Sequence, residues 1–187
     1  ALEAQMAEAG AALTLNRLAA LDRIAAAQAG AATSFPAARL ALLPGEGFAD
    51  DTDPSRIAER LAHQRPREAA AGRTLSGPHR ADLGAWWGPS DQPAGASSTG
   101  EQKALLLSLI LANARALAAE RPVLLLDEVA AHLDADRRAA LYDEIAALPA
   151  QAVLTGTGPE LFDAFGPRAR RLAVARDGDG STARELD

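Results

Sequence analysis

Apolar positions recur along the chain with two different periods. From Leu2 to Gln28 the residues Leu2, Met6, Ala9 and Leu13 fall at helical spacing, with Glu3, Glu8, Arg17 and Asp22 elsewhere. Leu18, Leu21 and Ile24 extend the stripe, so one long helix is expected, starting as abruptly as an element cut within a longer one. Arg39 to Leu43 reads as a short strand ended by a Pro44-Gly45-Glu46-Gly47 turn, and Asp50, Asp51 and Asp53 form an acidic loop. Asp53 is placed to cap a helix that has Pro54 at its first position and Ile57 and Leu61 facing inward. Ser76 to Leu83 is a rigid turn entering a strand through Trp86-Trp87, followed by a Gly88-Pro89-Ser90-Asp91 loop.

The second half reads as an α/β unit. Small residues from Gly95 to Ser98 precede an apolar helix over Gly100 to Glu120, about 20 residues and so roughly 30 Å long, which Pro122 stops. Val123 to Leu126 is a continuous apolar strand of the buried parallel type. Asp134 can cap a helix through Leu148, Ala152 to Leu154 is a second strand, Pro159 to Phe165 a short helix and Leu172 to Val174 a last strand. The polar tail from Asp177 is expected to fray.

Composition narrows the chemistry. The 187 residues carry a formal charge of −6 and no cysteine, which removes disulfides, thiolate metal sites and cysteine nucleophiles. His63, His79 and His132 are scattered, so a histidine-rich metal cluster is not expected. Arg or Glu interrupts every long apolar stretch, so no membrane span and no membrane partner is expected, and no secretory leader is visible. Lysine occurs once, at Lys103, between Gln102 and Ala104. A phosphate loop needs Gly-Lys followed by Ser or Thr, because the lysine must reach the terminal phosphates. This chain therefore carries no such loop.

Three segments carry candidate chemistry. Val123-Leu124-Leu125-Leu126-Asp127-Glu128 is an apolar strand ending in adjacent acids that leave it in different directions. Asp127 suits a Mg²⁺ shell and Glu128 an attacking water; the plainer alternative is a strand ending in solvated acids. Ser97-Ser98-Thr99-Gly100-Glu101-Gln102-Lys103 opens straight into the apolar helix. A helix start offers free N–H groups to a phosphate, though a serine cap followed by an acid is the simpler reading. Ala131-His132-Leu133-Asp134 follows Glu128 closely, and the order of all three raises their joint specificity.

That order is found in the second half of ATP-binding-cassette ATPase heads. Ser76-Gly77-Pro78-His79-Arg80-Ala81-Asp82-Leu83, Ser98 through Leu106, and Leu124 through Asp134 closely resemble the RecF family of DNA replication and repair proteins. The resemblance runs from the first helix to about Arg176. It implies an α/β fold: the C-terminal half of an ABC-type (P-loop NTPase) head with a mostly helical inserted lobe. Residues 1–75 would belong to the lobe and residues 76–187 to the head. It further implies two heads enclosing two ATP molecules with Mg²⁺ held at Asp127 and Glu128 as the catalytic residue. Ser98, Thr99, Gly100 and Glu101 would contact ATP bound by the partner, beside the loop of His132, Leu133 and Asp134. The family likeness also implies a slow DNA-dependent ATPase that is cytoplasmic, acts in repair, recombination and the SOS response, recognises gapped or single/double-strand junction DNA, and works with RecR, RecO and RecA.

Some positions depart from the broader pattern. The phosphate and glutamine loops would lie in an N-terminal portion outside this chain, which alone is expected to be inactive. Thr99 stands where transporters commonly have glycine and this family often arginine. Thr155-Gly156-Thr157 follows the second strand where transporters place a histidine, and either threonine is a candidate replacement. His79, Arg80 and the arginines of the preceding stretch, including Arg65, Arg67 and Arg73, could contact DNA or couple the lobes, against a reading as packing and salt bridges. Arg168, Arg170 and Arg171 pose the same choice, and Trp86 or Trp87 could stack on bases. The alternatives at the level of the whole protein are a non-enzymatic scaffold with an ATPase-like core, or the head of another chromosome-maintenance ATPase.

Overall fold

The computed structural model describes residues 2–45, 51–88 and 90–186, without the side chain of His132. The expected turn at Glu46-Gly47, Asp50 of the acidic loop and Pro89 lie outside the described residues. The chain separates into two compact units, Ala1–Ala116 and Leu117–Asp187. The 75/76 boundary named above runs inside the first unit, where strands from both sides of it pair.

The first unit is built around α1 (Leu2–Ala29). Its buried face is Ala7, Gly10, Ala11 and Thr14, a stripe of small side chains at helical spacing. This corrects the expected face: Leu2, Met6 and Leu13 are exposed. The reason is close approach. Ile57 and Leu61 of α2 (Pro54–Ala71) fill the shallow trough over Ala7 and Ala11, and larger residues there would hold the helices apart. Gly10 serves the same end, since a Cβ on it would stand 2.7 Å from Cγ of Pro78. At the far end of α1, the buried Gln28 side chain accepts from the Ala38 N–H at 2.8 Å and donates to the Ala38 carbonyl at 3.1 Å. It thereby pins the first residue of β1 (Ala38–Leu43) as a neighbouring strand would.

Asp53 caps α2 as expected, accepting from the Ser55 N–H at 2.9 Å, and Gly72 ends it in the left-handed conformation at φ 64°. β1 pairs antiparallel with β2 (Asp82–Trp87), which pairs with the two-residue β3 (Gln92–Pro93). On this sheet the Arg39 guanidinium lies 4.1 Å from the centre of the Trp86 ring and donates twice to Asp91 Oδ1, at 2.8 and 2.6 Å. α3 (Thr99–Ala116) buries Leu105, Leu107, Leu111 and Ala112. It is shorter than expected: residues 118–120 tighten into a 3₁₀ turn and Arg121 turns left-handed at φ 49°, so the helix ends before Pro122.

The second unit starts with β4 (Val123–Leu126), parallel to β5 (Gln151–Leu154). Leu124 and Leu126 are buried while Leu125 is 76% exposed, so β4 is covered on one face only and not on both as expected. α4 (Ala135–Ala147) is capped by Asp134, whose Oδ1 accepts from the Arg137 N–H at 2.8 Å. Its Tyr142 is fully buried, stacks on Phe165 with ring centres 3.9 Å apart and donates its hydroxyl to the Leu161 carbonyl at 2.7 Å. Leu161 and Phe165 belong to a 3₁₀ stretch, Pro159–Arg168, broken at Gly166, where a short helix was expected. The tail is not frayed: β6 (Arg171–Asp177) and β7 (Gly180–Leu186) form an antiparallel hairpin. Asp177-Gly178-Asp179-Gly180 supplies the turn, with Gly178 at φ 60°.

Tyr142→Phe keeps the stack and leaves the Leu161 carbonyl without its donor. It is expected to cost about 1–2 kcal/mol, and Tyr142→Ala about 3–5 kcal/mol, in urea unfolding followed by circular dichroism. Equal stability of the phenylalanine variant and the parent would show that the hydroxyl bond contributes nothing.

Candidate functional site

Three polar constellations sit where the sequence motifs fall. The first is the turn before β2. Glu68, in the last turn of α2, accepts from the N–H of Leu75 at 2.9 Å, the N–H of Ser76 at 3.0 Å and the Ser76 hydroxyl at 3.1 Å. Those bonds, led by the Leu75 amide, hold its carboxyl below the usual carboxylate range, with the His79 charge as a minor contributor. Gly77 follows at φ 137°, a conformation glycine adopts without strain. Arg17 of α1 donates to the Pro78 carbonyl at 2.6 Å, about two turns along the same face from Gly10. The turn is thus clamped between two helices, and His79 and Arg80 come out exposed.

The second is the mouth of α3. Ser98, Thr99, Gly100 and Glu101 are all exposed, and a Cβ on Gly100 would meet nothing within 4 Å. The Ser98 hydroxyl donates to Glu101 Oε2 at 2.7 Å and accepts from the Glu101 N–H at 3.3 Å, while the Ser98 N–H also donates to Glu101 Oε2 at 2.8 Å. This is a capping box, and the Ser98 hydroxyl followed by its amide holds the Glu101 carboxyl below its ordinary value. Gln102 Nε2 donates to the Ser97 carbonyl at 2.9 Å and fixes the approach to the helix. The serine is accessible, and its own chain's carboxylate stands at the anion-seeking helix end.

The third lies at the carboxyl end of β4. Asp127 is exposed, and Glu128 is left-handed at φ 53° and ψ 18°. Thr155, the residue after β5, donates its hydroxyl to Asp127 Oδ1 and accepts the Glu128 N–H at 3.1 Å. From Glu128 the chain runs through a 3₁₀ turn over Val129–His132, with Ala130 and Leu133 buried, into the Asp134 cap of α4. Among the described residues no three His, Asp or Glu side chains gather as a protein-only metal cage. A lone exposed carboxylate fits Mg²⁺, which takes one or two carboxylates and fills its shell with water and phosphate oxygens.

The structure brings together Asp127, Glu128 and Thr155, and separately Ser98 with Glu101; these groups belong to different compact units. Arg65 is paired within the first unit, its guanidinium donating to both Glu3 oxygens at 2.9 and 2.6 Å, while Arg67 and Arg73 are exposed. Arg168 pairs with Asp143 at 2.7 Å, Arg170 with Glu185 at 2.9 Å and Arg171 with Asp163 at 3.2 Å, so that cluster ties elements of the second unit together. Sequence reasoning missed Glu68 and Gln28, whose partners lie eight and ten residues away in regions without periodicity.

No family profile matches the chain. It is 48% identical over 191 aligned residues to the DNA replication and repair protein RecF of Caulobacter vibrioides, covering 95% of this chain and 49% of that protein. The RecF of Rhizobium meliloti is 46% identical over 187 residues, covering 94% and 49%. The chain thus spans about half the length of the curated relatives it matches. Among solved structures, the recombination mediator RecF with ATP aligns at a TM-score of 0.65 with 21% identity, over 84% of this chain and 44% of that one. A structure describing ATP-driven dimerisation and DNA-stimulated activation of SMC ATPases aligns at 0.54 with 16% identity, over 93% and 89%. These alignments show the α/β fold of an ABC-type ATPase head. Over the portion it spans, the chain is a RecF homologue, as the three motifs imply.

Because Glu68 has a lowered folded-state pKa, its contribution is present above the ordinary carboxylate range and fades as pH falls through that range. Glu68→Ala is therefore expected to destabilise by about 1–3 kcal/mol near neutrality. The gap to the parent should narrow as pH falls below the ordinary carboxylate range in denaturant titrations. A gap that stays constant with pH would remove the carboxylate as its cause.

Proposed function

We propose that this chain serves a RecF-type DNA-repair ATPase whose two copies close on ATP. The observation that carries the reading is the exposed Asp127 beside a conformationally fixed Glu128 at the end of a parallel strand, in a chain homologous to RecF. Asp127 would hold Mg²⁺, which when bound neutralises phosphate charge. Glu128 would orient and deprotonate the attacking water. Ser98 and the N–H groups of Thr99 and Gly100 would grip the γ-phosphate of ATP held by the other copy. To donate there, the Ser98 hydroxyl must leave Glu101 Oε2, whose negative charge must also swing aside from the incoming phosphate.

The wider assignment follows the same likeness. The substrate DNA would be a gap or a single/double-strand junction, with RecR, RecO and RecA as partners in the cytoplasm and Mg²⁺·ATP as the fuel. His132, Leu133 and Asp134 would line the approach between the two copies. Arg67, Arg73, His79 and Arg80, exposed in the first unit, are the side chains proposed to meet DNA phosphates or to relay DNA contact to the head. Arg65 would act through its pair with Glu3, tying α2 to α1. Among the described residues no helix is long and apolar enough to cross a membrane.

In the full-length protein carrying this chain, Glu128→Gln is expected to lower ATP turnover by about 10²–10⁴-fold while ATP-dependent dimerisation persists in sedimentation velocity. Turnover unchanged by this substitution would refute the reading. The 187-residue chain alone has no lysine-bearing loop and is expected to bind ATP no more tightly than about 1 mM in calorimetry. Tighter binding would place the nucleotide site within this chain.

A further inference from the structure

Thr155 stands where the sequence left open a replacement for the transporter histidine, and its hydrogen bonds decide what it can do. A hydroxyl has one proton to donate and two lone pairs to accept with. Here the proton goes to Asp127 Oδ1 and one lone pair takes the Glu128 N–H at 3.1 Å. While that bond stands no proton remains to donate to a phosphate oxygen, so in this arrangement Thr155 does not act as a histidine-like donor. We infer that Thr155 is instead a positioning residue. Its single hydroxyl sets the directions of two adjacent carboxylates, holding Asp127 by one oxygen and Glu128 by its backbone.

Three further observations support this. Glu128 is a non-glycine residue in the left-handed region, a conformation that persists only where surrounding bonds over-determine it. The Glu128 N–H bond to Thr155 is such a bond, and it fixes the backbone at the step from β4 into the 3₁₀ turn over Val129–His132. Thr155 is itself fixed from both sides. Its N–H donates to the Leu126 carbonyl at 3.1 Å, continuing the parallel ladder one step past the strands. The next residue, Gly156, lies so close to Phe162 that a Cβ would stand 2.9 Å from its ring. Strand and aromatic ring therefore deliver the hydroxyl to the two acids. With Oδ1 engaged by Thr155, Oδ2 is the oxygen Asp127 presents to a cation.

The inference rests on the proposed roles of Asp127 and Glu128, and its test separates the two. In the full-length protein, Thr155→Val keeps the shape and removes the hydroxyl, and Thr155→Ser keeps the hydroxyl. Thr155→Val is expected to weaken Mn²⁺ binding in the presence of ATP, read by electron paramagnetic resonance, by about 10–100-fold. Turnover should fall by a similar factor with KM for ATP unchanged, and Thr155→Ser should restore both. Should the valine variant not fold, Thr155→Ala replaces it in the same comparison. A folded variant without the hydroxyl that binds Mn²⁺ and turns over like the parent overturns the inference, as does serine failing to rescue. Glu128→Gln run alongside reports on the functional reading independently: if it leaves hydrolysis intact while Thr155→Val still weakens Mn²⁺ binding, the assigned base is wrong and the threonine bridge stands.

Discussion

Where two parallel strands stop, the ladder leaves backbone amides and carbonyls with no partner across the sheet, and in the second unit one side chain takes such an amide together with a neighbouring carboxylate. The Thr155 hydroxyl reaches across from the end of β5 to the end of β4 and takes both Asp127 and the Glu128 amide. Without that bridge, the left-handed turn at Glu128 would lose the bond that offsets its strain. Everything downstream follows the direction the turn imposes: buried Ala130, the Asp134 cap, and α4 with Tyr142 stacked on Phe165. A hydroxyl, an amide and a carboxylate thus link the apolar packing of the unit to its exposed chemistry.

The first unit is governed by how closely backbones can approach. Ala7, Gly10 and Ala11 let α2 and the Pro78 turn press onto α1, and Arg17 and Glu68 then hold the turn from either side by its carbonyl and amides. The same turn leads into β2, whose sheet carries the Asp91–Arg39–Trp86 stack. Trp86 is therefore engaged by its own sheet, which favours a packing role over base stacking. The arginines divide in the same way. Arg65, Arg168, Arg170 and Arg171 are matched with carboxylates, while Arg67, Arg73 and Arg80 face solvent.

Much of this was legible from residue order. Asp53-Pro54, Asp134 and the Ser98-to-Glu101 spacing are local signals, each satisfied within one helical turn, and all three caps form. The apolar runs located β4, β5 and α3, although α3 ends earlier than its run and Val123, Leu125 and Val153 of the two strands are exposed. What was not legible was set by partners distant in sequence. The buried face of α1 follows from the shape of Ile57 and Leu61, which no count of large apolar residues in α1 reveals. The expected strand over Leu172 to Val174 lies within β6, but β7 and the hairpin were missed although Asp177-Gly178 is a turn signal, because residues 180–185 are largely polar and exposed and carry no apolar pattern. At the site, the order of motifs pointed to Asp127, Glu128 and Ser98, whereas the role of Thr155 depended on a contact spanning 28 residues.

The proposed function makes one geometric demand above all: the serine mouth of one copy must complete the acids of another. Mixing two full-length variants, one carrying Ser98→Arg and the other Glu128→Gln, measures this directly. Each is inactive alone, but a mixed dimer assembles one intact site from the unaltered acids of the first and the unaltered mouth of the second. ATP turnover regained on mixing, toward about a quarter of the parental value if pairing is random, is the expected result. A mixture as inactive as its components would contradict a site shared between copies.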